Sequence, residues 1–411
     1  MRLSNNIMYQ NSLDSILSGQ EKLVDSQLRV NTQKKVLTAA DDPAAMAQAN
    51  LITKKLELNG QFDKNMSFLR GRLEVEENAL KSMNTQIERA RELSIQAGNG
   101  AYTHTDREGI SKELAEIQKS LLDLMNTRSE DGRFIFSGFQ DSKATYSYDS
   151  ASQTYTYNGD QGNHSIQVAT STYIQATDNG ADLFEKTKAR LNVASNAMTI
   201  LPGAITAGSV YVKQQAEFDQ FHANYFDPLT PANNTFNVVV TAGAPDQYEI
   251  RQNGSPLVPA VTGDFTGESI EFAGMEISLQ GAAPGQADFT LETPTNKNIL
   301  NTLEELISVL ENPASTQVQL QETLADSVVE LDNAQEAITF TRASIGGRLN
   351  AVTRNENANS GEEIVNVATK ASLLEADMAE AISELKKNET ALQAAQATFG
   401  RVSGLTLFDY I

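Results

Sequence analysis

The feature that most limits this chain is a three-four spacing of apolar residues in stretches almost free of proline. It is clearest near the end, at Ile364, Val367, Ala371, Leu374, Met378, Ala381, Leu385, Asn388, Leu392, Ala395, Phe399 and Val402. This spacing puts one apolar seam on one face of a helix, as in coiled coils and bundles. Asn388 interrupts the seam; a polar residue there fixes register at some cost in stability. Further runs lie at Phe62, Met66, Leu69, Leu73, Leu80, Met83, Ile87 and Ala90, at Ile110 to Leu124, and at Leu324 to Val352. The first helix is weaker, with Leu13, Ile16, Leu17, Leu23, Val24, Leu28 and Val30. Asp42 before Pro43 reads as an N-cap followed by proline at the first helical position. A helix is expected from there to Ala97, about 80 Å at 1.5 Å per residue. Gly98-Asn99-Gly100 ends it, Thr105 or Asp106 caps the next helix, and that helix stops near Arg128.

The middle differs. Eight of the ten prolines and eight of the eleven tyrosines fall in residues 140–296. That is the composition of turns and strands. Strands are expected at 133–138, 144–148, 153–157, 165–170, 236–240, 247–251, 270–272, 276–279 and 288–291. Asn158-Gly159, Asn253-Gly254 and Pro284-Gly285 read as turns, and a helix is expected from Asp182 to about Ala197. The fold class that results is α+β. Both chain ends form a long antiparallel helical bundle or coiled-coil rod, with a β-hairpin and an inserted β-rich domain. The expected segments are terminal helices at 1–42 and 365–411, a helical rod with its hairpin at 43–180 and 293–364, and a β-rich outer insert at 181–292. A marginal helix gains its stability by packing, so the two terminal segments are expected to pair. They are expected to pair with neighbouring chains as well, an ordinary helical hairpin within one chain being the alternative, and to be largely disordered in the monomer before assembly.

Composition removes several functions. The chain has 32 Lys+Arg against 53 Asp+Glu, net −21. Nucleic-acid and anionic-membrane binders need a basic face instead. The excess acid is local: residues 1–139 carry 18 basic and 19 acidic residues, whereas 140–296 carry 6 and 17. With no cysteine there is no thiolate metal site and no Cys nucleophile. The histidines, His104, His164 and His222, are scattered and read as surface residues. No apolar run is long enough to span a bilayer, and the opening Met1-Arg2-Leu3-Ser4 lacks a signal-peptide core. Asp41-Asp42-Pro43 reads as a helix cap rather than a metal or acid pair. The tyrosines at 146–157 could stack on a sugar or on one another across a hairpin, making the insert an adhesin or carbohydrate-binding module in the first case. Glu268 with Glu271 is the acid pair that a wall hydrolase in the insert would use, although phosphate-loop and zinc spacings are absent.

Some stretches are familiar. Residues 28–45, ending Ala39-Ala40-Asp41-Asp42-Pro43-Ala44-Ala45, and residues 87–100 resemble the start of the flagellin-type axial proteins of bacteria. Phe136-Ser137-Gly138 and the helix after Ile345-Gly346-Gly347-Arg348-Leu349-Asn350 fit the same pattern. The resemblance covers roughly 1–140 and 295–411. The opening through Met8-Tyr9, Asp41-Asp42-Pro43, and the close Gly404-Leu405-Thr406-Leu407-Phe408-Asp409-Tyr410-Ile411 look like the hook-filament junction branch rather than the filament flagellin. The resemblance implies a non-enzymatic structural subunit without cofactor or metal, exported unfolded by the flagellar type III route without a cleaved signal. It implies as partners the first hook-associated protein, flagellin, copies of itself in a ring, and an export chaperone. It implies no nucleic acid and no membrane insertion. The assembly interfaces expected are Leu13, Ile16, Leu17, Leu23, Val24 and Leu28 on the first helix, and Leu374, Met378, Leu385, Leu392, Phe399 and Val402 on the last. Arg89, Glu92, Leu93 and Gln96 resemble the flagellin patch read by an innate immune receptor; they equally make a solvated helix face with Leu93 turned inward.

Overall fold

The computed structural model describes the backbone of residues 2–404 and the side chains of residues 7–401. The α+β architecture is as the sequence implies: long helices from both ends of the chain, and antiparallel sheets between them. The chain divides into two compact units. One holds residues 1–71, 165–175 and 347–411; the other holds 72–164 and 176–346.

The first unit contains helix α1 (Arg2–Thr32) and the start of α2 (Pro43–Ala97). It also holds the end of α6 (Gln317–Leu374), and α7 (Met378–Gly404). A hairpin of β3 (Ser165–Ala169) and β4 (Thr172–Gln175) belongs to it as well. Phe62, Met66 and Leu69 of α2 and Val352 of α6 are buried, as heptad spacing demands. Polar pairs flank them. Arg70 Nη2 lies 2.5 Å from Glu356, and Asn359 Nδ2 donates to the Asn59 carbonyl at 3.0 Å. Asn65 donates to the Gln167 carbonyl at 2.8 Å and ties the hairpin to α2. The heptad seam at 364–402 is not one helix: Glu375, Ala376 and Asp377 interrupt it.

The second unit has a helical part and a β part. The later half of α2, with α3 (His104–Met125), α5 (Ile299–Glu311) and the first half of α6, buries Leu80, Met83, Ile87, Leu114, Leu121, Leu303, Leu331 and Ile338. Each such side chain contributes about 1.5–3 kcal/mol. The cap of α3 is Thr103 rather than Thr105 or Asp106. Its hydroxyl accepts from the Asp106 amide while the Asp106 carboxylate accepts from the Thr103 amide. The helix ends at Met125, and residues 133–138 form turns instead of a strand, with Phe134 alone bridging to Arg128. β1 (Tyr146–Asp149) and β2 (Thr154–Tyr157) pair as a hairpin whose turn lies between them, so Asn158-Gly159 follows the hairpin rather than closing it.

The β part closes over one core. One sheet has the order β5-β12-β7-β8-β9, from β5 (Thr199–Ile200), β12 (Gly285–Thr290), β7 (Thr235–Thr241), β8 (Gln247–Gln252) and β9 (Ser255–Asp264). The other has the order β10-β11-β6, from β10 (Ile270–Phe272), β11 (Met275–Gly281) and β6 (Ile205–Val212). Helix α4 (Gln215–Tyr225) adds Phe218 and Phe221 to that core. Phe236 and Phe289 face each other across β7 and β12, their rings stacked at 5.4 Å. Asn253 (φ 45°) and Gly254 (φ 78°) make the two-residue turn between β8 and β9, the left-handed pair such hairpins need. The helix expected at 182–197 is only a π-helical turn, Ala181–Glu185. Beyond it the chain runs extended, because Val193 bridges to Leu291 and Ala194 donates to the Thr290 carbonyl.

Candidate functional site

The terminal helices α1 and α7 lie antiparallel within the first unit. Tyr9 meets Phe399 with ring centroids 5.2 Å apart, Gly19 lies against Leu392, and Asn388 Nδ2 donates to Ser26 Oγ at 2.7 Å. Of the residues expected at an assembly surface, Ile16, Leu23, Met378, Leu385 and Phe399 are half-buried and Leu392 is buried. Leu374 is half-buried at the end of α6, before the break. The side chain of Val402 lies outside those described. The remaining four, Leu13, Leu17, Val24 and Leu28, are 41–55 % exposed. At 100° per residue these four fall within one narrow sector of α1, about a third of a turn from the face that meets α7. α1 therefore carries two apolar faces, one covered and one open. On the other helix of the pair, Ile382 is 53 % exposed.

The chain links to these helices are tied together. The Lys35 amide donates to the Leu374 carbonyl at 2.8 Å, and the Ala376 amide to the Gln33 carbonyl at 3.0 Å. Lys35 Nζ adds a bond to the Ser372 carbonyl at 2.7 Å. Asp377 Oδ1 accepts from the Ala379 amide at 2.9 Å and starts α7. Asp41 and Asp42 are caps. Asp42 Oδ1 accepts from the Ala44 and Ala45 amides at 3.1 and 2.9 Å, the N-cap geometry of α2. The Asp41 carboxylate accepts from the Thr38 and Leu37 amides, and these bonds hold its pKa below the usual carboxylate range.

The receptor-like patch is a helix face. Leu93 is 2 % exposed. Arg89 is bound to Glu113 of α3 at 2.7 Å and to Glu92 at 3.1 Å, while Gln96 donates to the Tyr102 hydroxyl at 2.9 Å. Bonds to both glutamates raise the Arg89 pKa.

The other candidates separate. Tyr146 is buried, and its hydroxyl donates to Glu185 at 2.5 Å. Tyr148 and Tyr155 pack against each other across β1 and β2, their tilted rings 4.8 Å apart. Burial pushes Tyr155 and Tyr157 up to about 12. This is cross-strand packing, and Tyr148 alone of the four is well exposed. Glu268 and Glu271 stand exposed, Glu271 on the edge strand β10. Among the described residues no cluster of three metal-ligating side chains occurs, and no helix is long and apolar enough to cross a membrane. His104 is exposed and His164 half-buried. His222 is not a surface residue. It is 2 % exposed, stacks on Phe226 at 4.8 Å and bonds the Glu292 carbonyl at 2.8 Å. It lies one helical turn after Phe218, on the inward face of α4.

Sequence reasoning missed Ser26 and Gly19 as partners of the last helix. It also missed Arg190, whose side chain is 3 % exposed and binds Glu322 and Asp326, each at 2.9 Å. A small residue every seventh position on α1 is the signal that could have found the first two.

Residues 3–141 match the bacterial flagellin N-terminal helical region. The chain is 27 % identical over 212 residues to Flagellar hook-associated protein 3 of Salmonella typhimurium, covering 52 % of this chain and 64 % of that protein. It is 30 % identical over 147 residues to Flagellar hook-associated protein 3 of Escherichia coli, covering 36 % and 46 %. The matched stretches thus span less than two thirds of either relative. Among solved structures, the flagellar junction protein FlgL of Legionella pneumophila superposes with a TM-score of 0.57 at 25 % identity, over 80 % of this chain and 100 % of that one. The resemblance read in the sequence, to the junction branch of the flagellin family, holds in sequence and in fold.

Proposed function

We propose that this chain is a structural subunit of the bacterial flagellum that joins the hook to the flagellin filament. The single observation that carries the reading is the open apolar face of α1, Leu13, Leu17, Val24 and Leu28, on a helix whose other face is already occupied by α7. A second apolar stripe on a paired helix is what a subunit needs to bury against neighbours. The similarity to hook-associated protein 3 of two bacteria supports the flagellum as that assembly. In that assembly the terminal helices form the inner tube, the helical rod the next shell, and the β-rich insert faces outward. The partners are the first hook-associated protein on one side, flagellin on the other, and copies of the chain in a ring. Before assembly an export chaperone shields the apolar C-terminal stripe. The chain leaves the cell by the flagellar type III route and works outside it. Its role is mechanical, with no catalytic step.

A deletion strain tests this. It is expected to build hooks and shed flagellin into the medium; full-length filaments in that strain would sink the proposal. Purified chain separates the role from that of filament flagellin. The junction subunit does not polymerise alone into long filaments, whereas flagellin does.

A further inference from the structure

Five asparagines in the chain precede a glycine: Asn59, Asn99, Asn158, Asn179 and Asn253. Such a pair can react with itself. The glycine amide nitrogen attacks the asparagine side-chain carbon Cγ, ammonia leaves, and a five-membered succinimide ring closes. Glycine favours the step because no Cβ crowds the attacking nitrogen. The fold decides which pair reacts, since the nitrogen must be unbonded and the side chain able to turn. Four pairs are held. Asn59 is buried within α2, where the Gly60 amide belongs to the helical ladder. Asn179 is 1 % exposed, its Nδ2 donates to Gln161, Asn163 and Asp182, and the Gly180 amide donates to the Phe136 carbonyl at 2.7 Å. The Gly254 amide donates to Asn237 Oδ1 at 2.7 Å, while Asn253 Nδ2 donates to Asn233. Asn158 Nδ2 donates to Ser147 Oγ at 3.0 Å and to the Ala144 carbonyl, and a Cβ at Gly159 would collide with the Tyr157 hydroxyl.

The fifth pair is open. We propose that Asn99-Gly100 is a site of self-modification, at which Asn99 turns into aspartate and isoaspartate by intramolecular loss of ammonia. Asn99 and Gly100 are exposed in the loop between α2 and α3. The Asn99 carbonyl accepts from the Tyr102 amide at 3.0 Å, so Gly100 stands second in a four-residue turn, where the turn's own bond leaves its amide unused. Among the described residues neither the Gly100 amide nor Asn99 Nδ2, the nitrogen that leaves, has an acceptor. A Cβ on Gly100 would meet nothing within 4 Å. The one bond the side chain makes favours the reaction. Asn99 Oδ1 accepts from the Ala101 amide at 3.1 Å, which folds the side chain back along the loop toward Gly100. An N–H aimed at that oxygen stabilises the negative charge it gains when Cγ is attacked. The Gly100 proton departs with the ammonia, and one water then opens the ring. Opening at Cγ gives aspartate; opening at the main-chain carbonyl gives isoaspartate, with an extra methylene in the backbone. Either product sets a negative charge just past the C-terminal end of α2, where the helix dipole disfavours it. The proposal does not depend on the flagellar role.

Peptide mapping by mass spectrometry tests it on the full chain, kept folded in warm, mildly alkaline buffer. Trypsin releases Asn99 apart from the other four, in residues 92–107. A mass gain of one dalton marks conversion, and labelling by an isoaspartyl methyltransferase marks the isoaspartate. In the folded chain Asn99 is expected to convert at least about tenfold faster than any other pair, a barrier difference of about 1.4 kcal/mol. In urea the five are expected to convert at comparable rates, because the bonds that hold four of them are gone. Gly100→Ala, which has room for its methyl group, is expected to slow conversion while the melting curve stays in place. Any other pair converting within that factor of Asn99 in the folded chain overturns the proposal. So does an Asn99 that stays intact while the urea-treated chain converts, a preference for Asn99 that persists in urea, or a Gly100→Ala chain that converts as fast as its parent.

Discussion

Arg190 and Asp326 are joined through a guanidinium nitrogen that also holds Glu322, both carboxylate oxygens lying 2.9 Å from Nη1. Nε of the same arginine donates to Gln215 at 2.6 Å and Nη2 to the Val212 carbonyl at 3.3 Å. One buried cation thus ties the segment leading into the β part, the end of β6 and helix α6 together. Removing it leaves two carboxylates without their counter-charge in a poorly solvated place. Arg190→Met is expected to cost about 3–5 kcal/mol, the usual cost of breaking a buried ion pair from one side. Urea unfolding measures it; a loss under about 1 kcal/mol would show the cluster to be solvated.

A second buried carboxylate gives a pH dependence. Glu330 is 4 % exposed, accepts from Thr302 Oγ1 at 2.6 Å and lies 3.5 Å from Lys297 Nζ. Burial raises its pKa, and Lys297 and Thr302 offset that only in part; Asp326 is raised in the same way. A raised folded-state pKa gives a contribution that is full below the unfolded value, about 4.3, and is lost as pH rises through the folded value. Groups with lowered values, such as Asp41, Asp106 and Asp227, lose their contribution only as pH falls below about 4. Stability is therefore expected to fall as pH rises above the unfolded carboxylate value, about 4.3. Glu330→Gln should flatten that slope and raise the urea midpoint at pH 7. An unchanged slope would mean that Glu330 does not set it.

On the face of α2, two neighbours should behave differently. Leu93→Ala opens a cavity in the helical core and is expected to cost about 2–5 kcal/mol. Arg89→Ala removes pairs that are about half exposed and is expected to cost clearly less than Leu93→Ala. Thermal melts of the two variants compare them. Because Leu93 is buried and Arg89 and Gln96 are engaged, pure monomer is expected to give no signal in an innate-receptor reporter assay. A dose-dependent response would restore the patch.

The glycine between β10 and β11 is fixed by two constraints. Gly274 has φ +76°, and a Cβ there would lie 2.4 Å from the Gln214 carbonyl oxygen. Its own carbonyl accepts from the Lys213 and Gln214 amides at 2.8 and 2.9 Å. Gly274→Ala is expected to cost about 1–3 kcal/mol from backbone strain, with the clash adding to it. A change under about 0.5 kcal/mol in chemical unfolding would refute the strain.

The open face of α1 can be tested apart from folding. Leu17→Glu with Val24→Glu changes side chains that are 55 % and 54 % exposed. Such changes usually shift stability by no more than about 0.5 kcal/mol. Motility and filament attachment in cells carrying the double variant are expected to be lost while the melting curve of the purified chain stays in place. Normal filaments on those cells would remove this face from the interface.

What the sequence disclosed follows from the reach of its signals. Met66, Leu69, Leu73, Leu80 and Ile87 repeat within one helix, so local spacing locates them, and all are buried. The break at Glu375–Asp377 carries neither glycine nor proline; it is held by Gln33 and Lys35, some 340 positions earlier in the chain. β6 was hidden because Gly208 sits within it, where a Cβ would lie 2.9 Å from Leu279. Residues 187–197 have helical composition, yet their backbone partners, Thr290, Glu292 and Thr295, lie about a hundred positions away. Likewise the open face of α1 was readable as apolar, but only the placement of α7 separates Leu17 from Ile16.

The paired interruptions at residues 33–42 and 375–377 set where the chain ends can flex. An uninterrupted helix resists bending, and a single break would let one terminal segment swing while the other stayed fixed. Here both breaks occur at one level and are stitched by main-chain bonds between Lys35 and Leu374 and between Ala376 and Gln33. Tilt at that level must carry both ends together. Load applied to either end then reaches two strands of polypeptide at once, as in a two-ply cord tied at a single knot.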